Sequence, residues 1–376
     1  MSFMQVYFVE NENPSRDSSG GIMSYISSLS EYLRKRDIET ILLGAGLPHD
    51  GPTAFSRFLS VVEKREVPNP EYWLALFKKV RRLNIEEKSI IHAQRPDMLV
   101  PFVILKRKAP LMCTLHGAHD LAVFDKKGAA YGLVYRFLQW LAFRRVDRLI
   151  AVDAGTRDYY LRRYRWLAGR IIVIPTGIDL DRFRPVENQA LRDRSGWGQS
   201  DKIILFLGRL EKEKNLPFLL DAFCELKEHL DGVKLVLAGT GREEVSLKLK
   251  ANKMNLSDVV FMGEVAKEKV PELLSSADLL VLCSFYEGSP TVIKEALACN
   301  VPIVSFDVGD VSEVIRGIEG CQIAEKDHSD FAQKMLRALT ADKRTSSRER
   351  MLSYSIEAVG QRTLDIYTSL LRSAGN

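Results

Sequence analysis

Ser284-Phe285-Tyr286-Glu287-Gly288-Ser289-Pro290-Thr291-Val292-Ile293-Lys294-Glu295-Ala296 directly follows an apolar run over residues 278–283. The run is strand-length and ends in a polar, glycine-containing loop; the segment after that loop reads as a helix. Glu287 falls in the loop. Glu295 comes eight residues later, about two helical turns away if most of the interval is helical. Carboxylates so placed reach different ends of one elongated ligand. A carboxylate that accepts from a ribose diol is a recurrent device for holding nucleotides. Between the two, Gly288, Ser289 and Thr291 offer N–H groups at a helix N-terminus to phosphate. Glu295 reads either as a surface helix residue or as a carboxylate with a specific partner, and its neighbours Ala296, Leu297 and Ala298 favour the partner.

The alternation of short apolar runs with helical patterns extends through the whole chain. Around this segment lie runs at 202–207, 234–238, 259–262, 302–306 and 321–324. A further set lies at 5–9, 40–43, 89–93, 111–115, 148–152 and 170–174, with amphipathic stretches at 23–36, 72–83, 99–107 and 131–145 between them. Strands alternating with helices predict parallel sheets covered on both faces. Pro175, Pro185 and the polar stretch 187–200 carry little apolar periodicity and read as a linker. The expectation is an α/β chain of two Rossmann-like, doubly wound domains, 1–185 and 186–355, followed by a helical segment, 356–376. The strand C-termini of both sheets are expected to face a central cleft. Ligands of such sheets bind just outside those ends, so function should lie in loops that directly follow strands.

Four more loops meet that condition. Residues 11–21 end in Ser18-Ser19-Gly20-Gly21 and open a helix, where glycines let a ligand approach the backbone and the helix N-terminus favours negative charge; the alternative is a tight strand-to-helix turn. Thr114-Leu115-His116-Gly117 places a histidine at a strand end, suited to a hydrogen bond with a polar ligand or to a structural one. His92 ends a neighbouring run in the same way, and His119 lies just beyond His116. Gly208-Arg209-Leu210-Glu211-Lys212-Glu213-Lys214-Asn215 brings Arg209 and Lys214 five residues apart before a helix. An Arg fork and a Lys point charge suit a diphosphate, whereas Glu211 and Glu213 allow a merely solvated turn. Gly239-Thr240-Gly241 lacks the Gly-Lys-Ser/Thr of a Walker loop and reads as structural.

The chain has 376 residues, 46% hydrophobic and 27% charged, enough for two globular cores. No window approaches the roughly 20 apolar residues of a spanning helix, and the N-terminus reads as a first strand rather than a signal peptide. The five cysteines, Cys113, Cys224, Cys283, Cys299 and Cys321, are widely spaced and include no Cys-x-x-Cys pair. They read as reduced thiols of a cytosolic protein, not as a zinc site or a disulfide framework. The net charge of +5 is uneven: residues 1–185 hold 29 Lys+Arg against 20 Asp+Glu, a balance of +9, and the remainder is at −4. A basic first half is expected to meet something anionic, such as a membrane surface, a phosphorylated substrate or nucleic acid.

Taken together, these segments resemble glycosyltransferase family 4 (glycosyl transferases group 1), whose fold is GT-B. The likeness covers nearly the whole chain and is strongest from about Ile203 to Ile315. It is carried by the Glu-x7-Glu pair Glu287/Glu295, the block from Gly208 to Asn215, Val301-Pro302-Ile303-Val304, Gly309 with Glu313, and Ile174-Pro175-Thr176-Gly177-Ile178-Asp179. The resemblance implies sugar transfer with retention of anomeric configuration and no metal or other cofactor. By the same resemblance, Arg209 and Lys214 hold the diphosphate and stabilise the leaving group, Glu295 takes the ribose hydroxyls, and Glu287 takes the donor sugar. Gly208, Gly288, Ser289, Pro290 and Thr291 line the donor, with backbone N–H groups around Ser289–Thr291 on sugar or phosphate. His116 faces the donor sugar near its reacting carbon, and Gly20 and Gly21 border phosphate and acceptor. The last helix is expected to return to the N-terminal domain. The chain departs from the pattern in Gly288-Ser289-Pro290-Thr291-Val292, where Gly-Phe-Gly-Leu-Pro is common, in Asp310, where a second glycine is common, and in Asn300, which replaces a glycine but tolerates left-handed backbone.

The basic half is expected to govern the acceptor. Residues 135–148 read Tyr-Arg-Phe-Leu-Gln-Trp-Leu-Ala-Phe-Arg-Arg-Val-Asp-Arg, and Arg162-Arg163-Tyr164-Arg165-Trp166 follows. Aromatic residues beside arginines fit a helix at an anionic bilayer surface, or a domain helix with a basic rim. The expected protein is a cytoplasmic glycosyltransferase, peripheral on the inner face of a membrane if the first of these two readings holds, with a nucleotide-sugar donor, uridine favoured over guanosine and adenosine diphosphate sugars, and a glycan or lipid-linked acceptor. The alternatives are a GT-B epimerase or phosphorylase and a non-catalytic nucleotide-sugar-binding scaffold. No module for nucleic-acid recognition is present.

Overall fold

The computed structural model of the chain describes residues 4–13, 21–47, 54–64, 69–106, 108–186, 189–194, 196–198, 200–341 and 344–374. The chain forms two units, Met1–Gly177 with Ile356–Asn376, and Ile178–Ser355.

The first unit runs β1 (Gln5–Val9), α1 (Gly21–Arg34), β2 (Glu39–Ala45), β3 (Arg57–Val62), α2 (Asn69–Arg82), β4 (Ser89–Ala93), α3 (Val100–Ile104), β5 (Leu111–Leu115), α4 (His119–Lys127), α5 (Ala129–Phe143), β6 (Arg148–Ala151), α6 (Ala154–Arg163) and β7 (Ile171–Val173). Its seven strands pair in parallel in the order β3-β2-β1-β4-β5-β6-β7. Successive side chains of a strand point to opposite faces, so each central strand feeds two cores. Val6 and Phe8 pack with Met23, Ile26 and Leu29 of α1, while Tyr7 and Val9 pack with Leu76 of α2, Phe143 of α5 and Tyr160 of α6.

The second unit runs α7 (Gln189–Arg194), β8 (Lys202–Leu207), α8 (Leu216–Lys227), β9 (Val233–Ala238), α9 (Glu244–Lys253), β10 (Val259–Gly263), α10 (Val270–Ser276), β11 (Leu279–Leu282), α11 (Thr291–Ala298), β12 (Ile303–Ser305), α12 (Val311–Ile315), β13 (Gln322–Ile323) and α13 (His328–Thr340). Its six strands, also parallel, follow the order β10-β9-β8-β11-β12-β13. The last helix, α14 (Ile356–Ala374), packs in the first unit. There Tyr32 donates to Gln361 Oε1 at 2.8 Å. A Cβ at Gly360 would stand 2.5 Å from the Tyr32 ring, so this mid-helix glycine makes room for it.

Two features differ from the sequence reading. β3 was not among the expected strands: it is a half-buried edge strand whose residues 57–62 lack a continuous apolar run. Around the expected linker, Ile178, Leu180, Phe183 and Trp197 are buried in the second unit's core. Arg192 of α7, also buried, reaches Asp278 Oδ2 at 2.6 Å, and the same oxygen accepts from Ile203 N at 2.7 Å. One carboxylate thereby ties α7 to the starts of β8 and β11. The five cysteines are unpaired, with Cys113, Cys283 and Cys299 buried. Among the described residues no helix is long and apolar enough to cross a membrane.

His92 lies inside β4 and serves as a strut. Its Nδ1 is 2.6 Å from Tyr367 Oη of α14 and its Nε2 is 2.7 Å from Thr114 Oγ1. Burial pushes its pKa down to about 3. The ring is therefore neutral in the folded chain, and the stability this provides is lost as the pH falls from about 6.5 towards 3. Tyr367→Phe leaves a buried ring nitrogen without its partner and is expected to cost about 1–3 kcal/mol in chemical denaturation.

Candidate functional site

In the second sheet the chain moves outward from β8 to β10, then returns to pair β11 on the other side of β8. The loops after β8 and β11 therefore diverge from adjacent strand ends, the arrangement in which open α/β sheets hold ligands. The first loop carries Gly208, Arg209 and Lys214; the second carries Glu287 and Gly288. Behind the first stands the loop after β9, held by Leu210 N to Thr240 O at 2.8 Å. Packing there is close enough that a Cβ at Gly239 would lie 2.0 Å from Gly208 O, and one at Gly241 would lie 2.2 Å from Leu210 O. Gly239 and Gly241 thus serve the backbone.

Lys214 and Glu287 meet across this crevice. Lys214 Nζ donates to Glu287 Oε1 at 2.6 Å, and Ser284 Oγ donates to the same oxygen at 2.7 Å. The sequence reading gave Lys214 to a diphosphate and Glu287 to a sugar; without ligand they neutralise each other. The Lys214 turn is fixed by Asn215 in left-handed conformation (φ 55°) and by Cys283 Sγ, which reaches Lys214 O at 3.3 Å. Arg209 behaves differently. Its side chain is 62% exposed, and its nearest carboxylate oxygen, on Glu213, is 3.9 Å away. It is thus poised to fork onto an incoming anion at little cost.

Glu295 sits in α11 beside buried Ala296, Leu297 and Ala298. Burial raises its pKa to about 7, with the Arg182 guanidinium, the Thr291 hydroxyl and Lys294 working against that rise. Pro290, in extended conformation, directly precedes the helix, and no side chain caps the helix start among the described residues.

The preceding residue, Lys294, was missed by the sequence reading. It is fully buried, and its Nζ donates to Asp310 Oδ2 at 2.8 Å and to Ser289 Oγ at 2.6 Å. Ser289 Oγ in turn donates to Asp310 Oδ2 at 2.7 Å. Asp310 N bonds Gly288 O at 3.1 Å. Gly309, at φ 58°, comes so close that a Cβ there would stand 1.8 Å from Gly288 O. This buried lysine–carboxylate pair clamps the loop after β12 onto the loop after β11, the one that holds Glu287, Gly288 and Ser289. The signal was available: Lys294 lies among Val292, Ile293, Ala296 and Leu297, as anomalous a place for a charge as that of Glu295. Asp310, noted as a departure from glycine, is its counterpart.

His116 and Gly21 belong to the first unit, and Gly20 lies outside the described residues. His116 follows β5, half-buried, with Nε2 2.9 Å from Gln94 Oε1 and its ring edge-on to Tyr25. Burial, then His119 and His92, hold its pKa well below the usual value, so the ring is neutral. Gly21 opens α1, and among the described residues a Cβ there would meet nothing within 4 Å. The chain reverses its direction across this sheet at β1 and β4, whose ends lead into Glu10 and into Gln94 and Arg95. Burial raises Glu10 to a pKa of about 8. Glu10 Oε2 and Gln94 Nε2 are buried without a hydrogen-bond partner among the described residues. Arg95 grips Asp97 through Nε at 3.1 Å and Nη2 at 2.5 Å. Reading the sequence loop by loop missed this group, because only strand pairing places Glu10 beside Gln94. Among the described residues no cluster of three or more His, Cys, Asp or Glu side chains is placed to hold a metal ion.

Comparison with known proteins identifies the family. Glycosyltransferase Family 4 matches residues 19–182, and Glycosyl transferases group 1 matches residues 187–357. The chain belongs to glycosyltransferase family 4. Among its relatives, D-inositol 3-phosphate glycosyltransferase 2 of Catenulispora acidiphila is 30% identical over 238 residues, 59% of this chain and 56% of that protein. The UDP-Gal:alpha-D-GlcNAc-diphosphoundecaprenol alpha-1,3-galactosyltransferase of Escherichia coli is 28% identical over 279 residues, 72% of this chain and 70% of that one. The chain spans about half the length of several curated relatives, 56% and 46% for two D-inositol 3-phosphate glycosyltransferases. In fold it is similar to sucrose-phosphate synthase from Thermosynechococcus elongatus, with a TM-score of 0.83 at 19% identity over 98% of this chain and 100% of that one. HepE of Anabaena in complex with UDP-glucose gives 0.77 at 19% identity over 97% and 100%. The fold is accordingly GT-B, built from two parallel-sheet, Rossmann-like domains.

Two outcomes follow for the second unit. Lys294→Met strands Asp310 as a buried, unpaired carboxylate and is expected to destabilise the protein by about 3–5 kcal/mol in denaturant titration; adding Asp310→Gly is expected to recover most of that loss. Glu295 has its pKa raised on folding, so the stability linked to its proton is present below about pH 4.5 and is lost as the pH rises through about 7. Glu295→Gln is therefore expected to melt higher than the parent protein at pH 8, with the difference closing towards pH 5.

Proposed function

We propose that the protein is a metal-independent, retaining glycosyltransferase that moves a sugar from a nucleoside diphosphate sugar to a glycan or lipid-linked acceptor in cell-surface polysaccharide or glycoconjugate synthesis. The observation that carries this reading is the Lys214–Glu287 contact at the β8/β11 crevice, with Arg209 exposed beside it. A diphosphate entering there draws Lys214 from Glu287 and recruits Arg209, so two fixed cations offset the charge that develops on the leaving group. Chain cations in this position do the work a metal ion would do elsewhere. Released from the lysine, Glu287 accepts from hydroxyls of the donor sugar.

Glu295, desolvated but ionisable near neutrality, accepts from the ribose diol. The N–H groups of Gly288, Ser289 and Thr291 serve sugar or phosphate at the start of α11, and Pro290, which has no N–H to offer, lines the donor. We assign the neutral ring of His116 a hydrogen bond to the transferred sugar, and Gly20 and Gly21 the edge of phosphate and acceptor. The space at Gly21, where no described residue would meet a Cβ within 4 Å, supports this: it leaves room for an approaching ligand. A uridine donor is supported by the name of the galactosyltransferase relative, and a polyprenyl-linked acceptor by the diphosphoundecaprenol in the same name. Such an acceptor places the enzyme on the cytoplasmic face of a membrane.

In a thermal-shift titration with UDP, GDP and ADP, UDP is expected to raise the melting temperature. At about a hundred times its dissociation constant the stabilisation amounts to about 2.7 kcal/mol. EDTA should leave the shift unchanged, and Glu295→Ala should abolish it. No shift from any of the three nucleotides contradicts the reading. Gly21→Ala is expected to keep the melting temperature and the UDP shift while lowering turnover.

A further inference from the structure

Helix α5 is apolar on two sides. One side, with Tyr135, Gln139, Ala142 and Phe143, is buried in the first unit. The other presents Leu133 (62% exposed), Val134 (59%), Phe137 (60%) and Trp140 (39%) to solvent. These fall at i, i+1, i+4 and i+7, the spacing of a continuous helical stripe. Phe137 and Trp140 stack on one another with ring centroids 6.0 Å apart. A stripe of this kind on a helix already anchored by its other side marks a docking surface.

The stripe leads into a strongly basic pocket. Arg144, Arg145 and Arg148, from the turn between α5 and β6, join Arg170, which precedes β7, and Ser369 and Ser373 of α14 around a volume of about 390 Å³. The one carboxylate in the lining belongs to Asp147, and its Oδ2 accepts from Leu111 N at 2.8 Å. Arg148 Nη1 donates to Asp147 O at 3.0 Å and Arg170 Nη1 to Val146 O at 3.3 Å. Both are backbone contacts that orient the side chains without neutralising them. Among the described residues none of the four guanidiniums lies in an ion pair. Arg144 also lies 5.7 Å over the Trp140 ring, which joins pocket and stripe into one surface. The pocket opens at the N-terminal edge of the sheet, before β6 and β7, whereas His116, Glu10 and Gln94 follow strands at the C-terminal edge. It is therefore separate from the candidate site.

We propose that this surface docks the protein on an anionic phospholipid bilayer, with a lipid phosphate held in the arginine pocket and Leu133, Val134, Phe137 and Trp140 seated at the boundary of headgroups and acyl chains. Forked guanidiniums match phosphate oxygens, and serine hydroxyls add donors. Aromatic rings beside cations suit the interfacial layer of a membrane. A neutral protein groove would satisfy the stripe and leave four guanidiniums without a counter-charge, which is why we commit to lipid. The proposal deepens the reading of a lipid-linked acceptor: it holds that acceptor chemistry at the surface where the substrate resides.

The test is sedimentation of the full chain with vesicles of phosphatidylcholine alone and of phosphatidylcholine mixed with phosphatidylglycerol. The protein is expected to pellet with the mixed vesicles only. Arg144→Gln/Arg148→Gln/Arg170→Gln should lower the partitioning by about a hundredfold, and Phe137→Ser/Trp140→Ser should also release the protein. Both variants should keep the UDP-induced rise in melting temperature, which separates lost docking from lost folding. Pelleting that the arginine variant retains, equal pelleting with neutral vesicles, or none with either would overturn the proposal. So would stabilisation by inorganic phosphate that the arginine variant loses while no vesicle is bound, since the pocket would then serve a soluble phosphate. If docking holds and no nucleotide binds, the functional reading fails and the docking surface stands.

Discussion

The adjacency of β8 and β11 is the constraint on which the second unit's chemistry depends. Two strands far apart in sequence pair in parallel, and the loops beyond their ends must turn in opposite directions. Lys214 and Glu287 are brought within 2.6 Å by that pairing. Everything around them maintains the two loops: Gly239 and Gly241 allow the β9 loop to back the first, and Lys294, Asp310 and Gly309 fasten the second. The buried Lys294–Asp310 pair gains little net stability over an apolar packing, because desolvating two charges offsets their attraction. Its consequence is positional, since it dictates where Gly288 and Ser289 lie relative to Glu287.

Carboxyl groups held away from their preferred charge state mark both sheets. Glu295 in the second unit and Glu10 in the first are pushed up by burial to about 7 and about 8. Each lies in or near the loop that follows a strand at a switch point. A chain optimised only for stability would replace them with amides or apolar residues, so their retention at these places is the pattern of a binding site that trades stability for chemistry. For Glu10 the buried Oε2, without a hydrogen-bond partner among the described residues, extends that argument to the first unit.

Much of this was legible in the chain itself. Twelve of the thirteen strands among the described residues coincide with apolar runs, because strands buried on both faces cannot hide their composition. β3 escaped because an edge strand is half-solvated and its residues need not be apolar. The α7 region escaped for a different reason: its burial rests on one tryptophan and one ion-paired arginine, and neither produces periodicity. In the site, the loops and their charged residues were legible one at a time, whereas their partners were not. That Lys214 bonds Glu287, that Lys294 bonds Asp310 and that Glu10 stands near Gln94 are facts of strand order, which no local window contains.

The central claim is that Lys214 is shared between Glu287 and a diphosphate. It is tested most directly by calorimetric titration of UDP into the parent protein, Glu287→Gln and Lys214→Met. The account predicts binding at least as tight in Glu287→Gln, where the lysine is released from its carboxylate, and clearly weaker binding in Lys214→Met. Equal weakening in both variants, or no change in either, would contradict it, because the pair would then be a structural ion pair with no part in holding the donor.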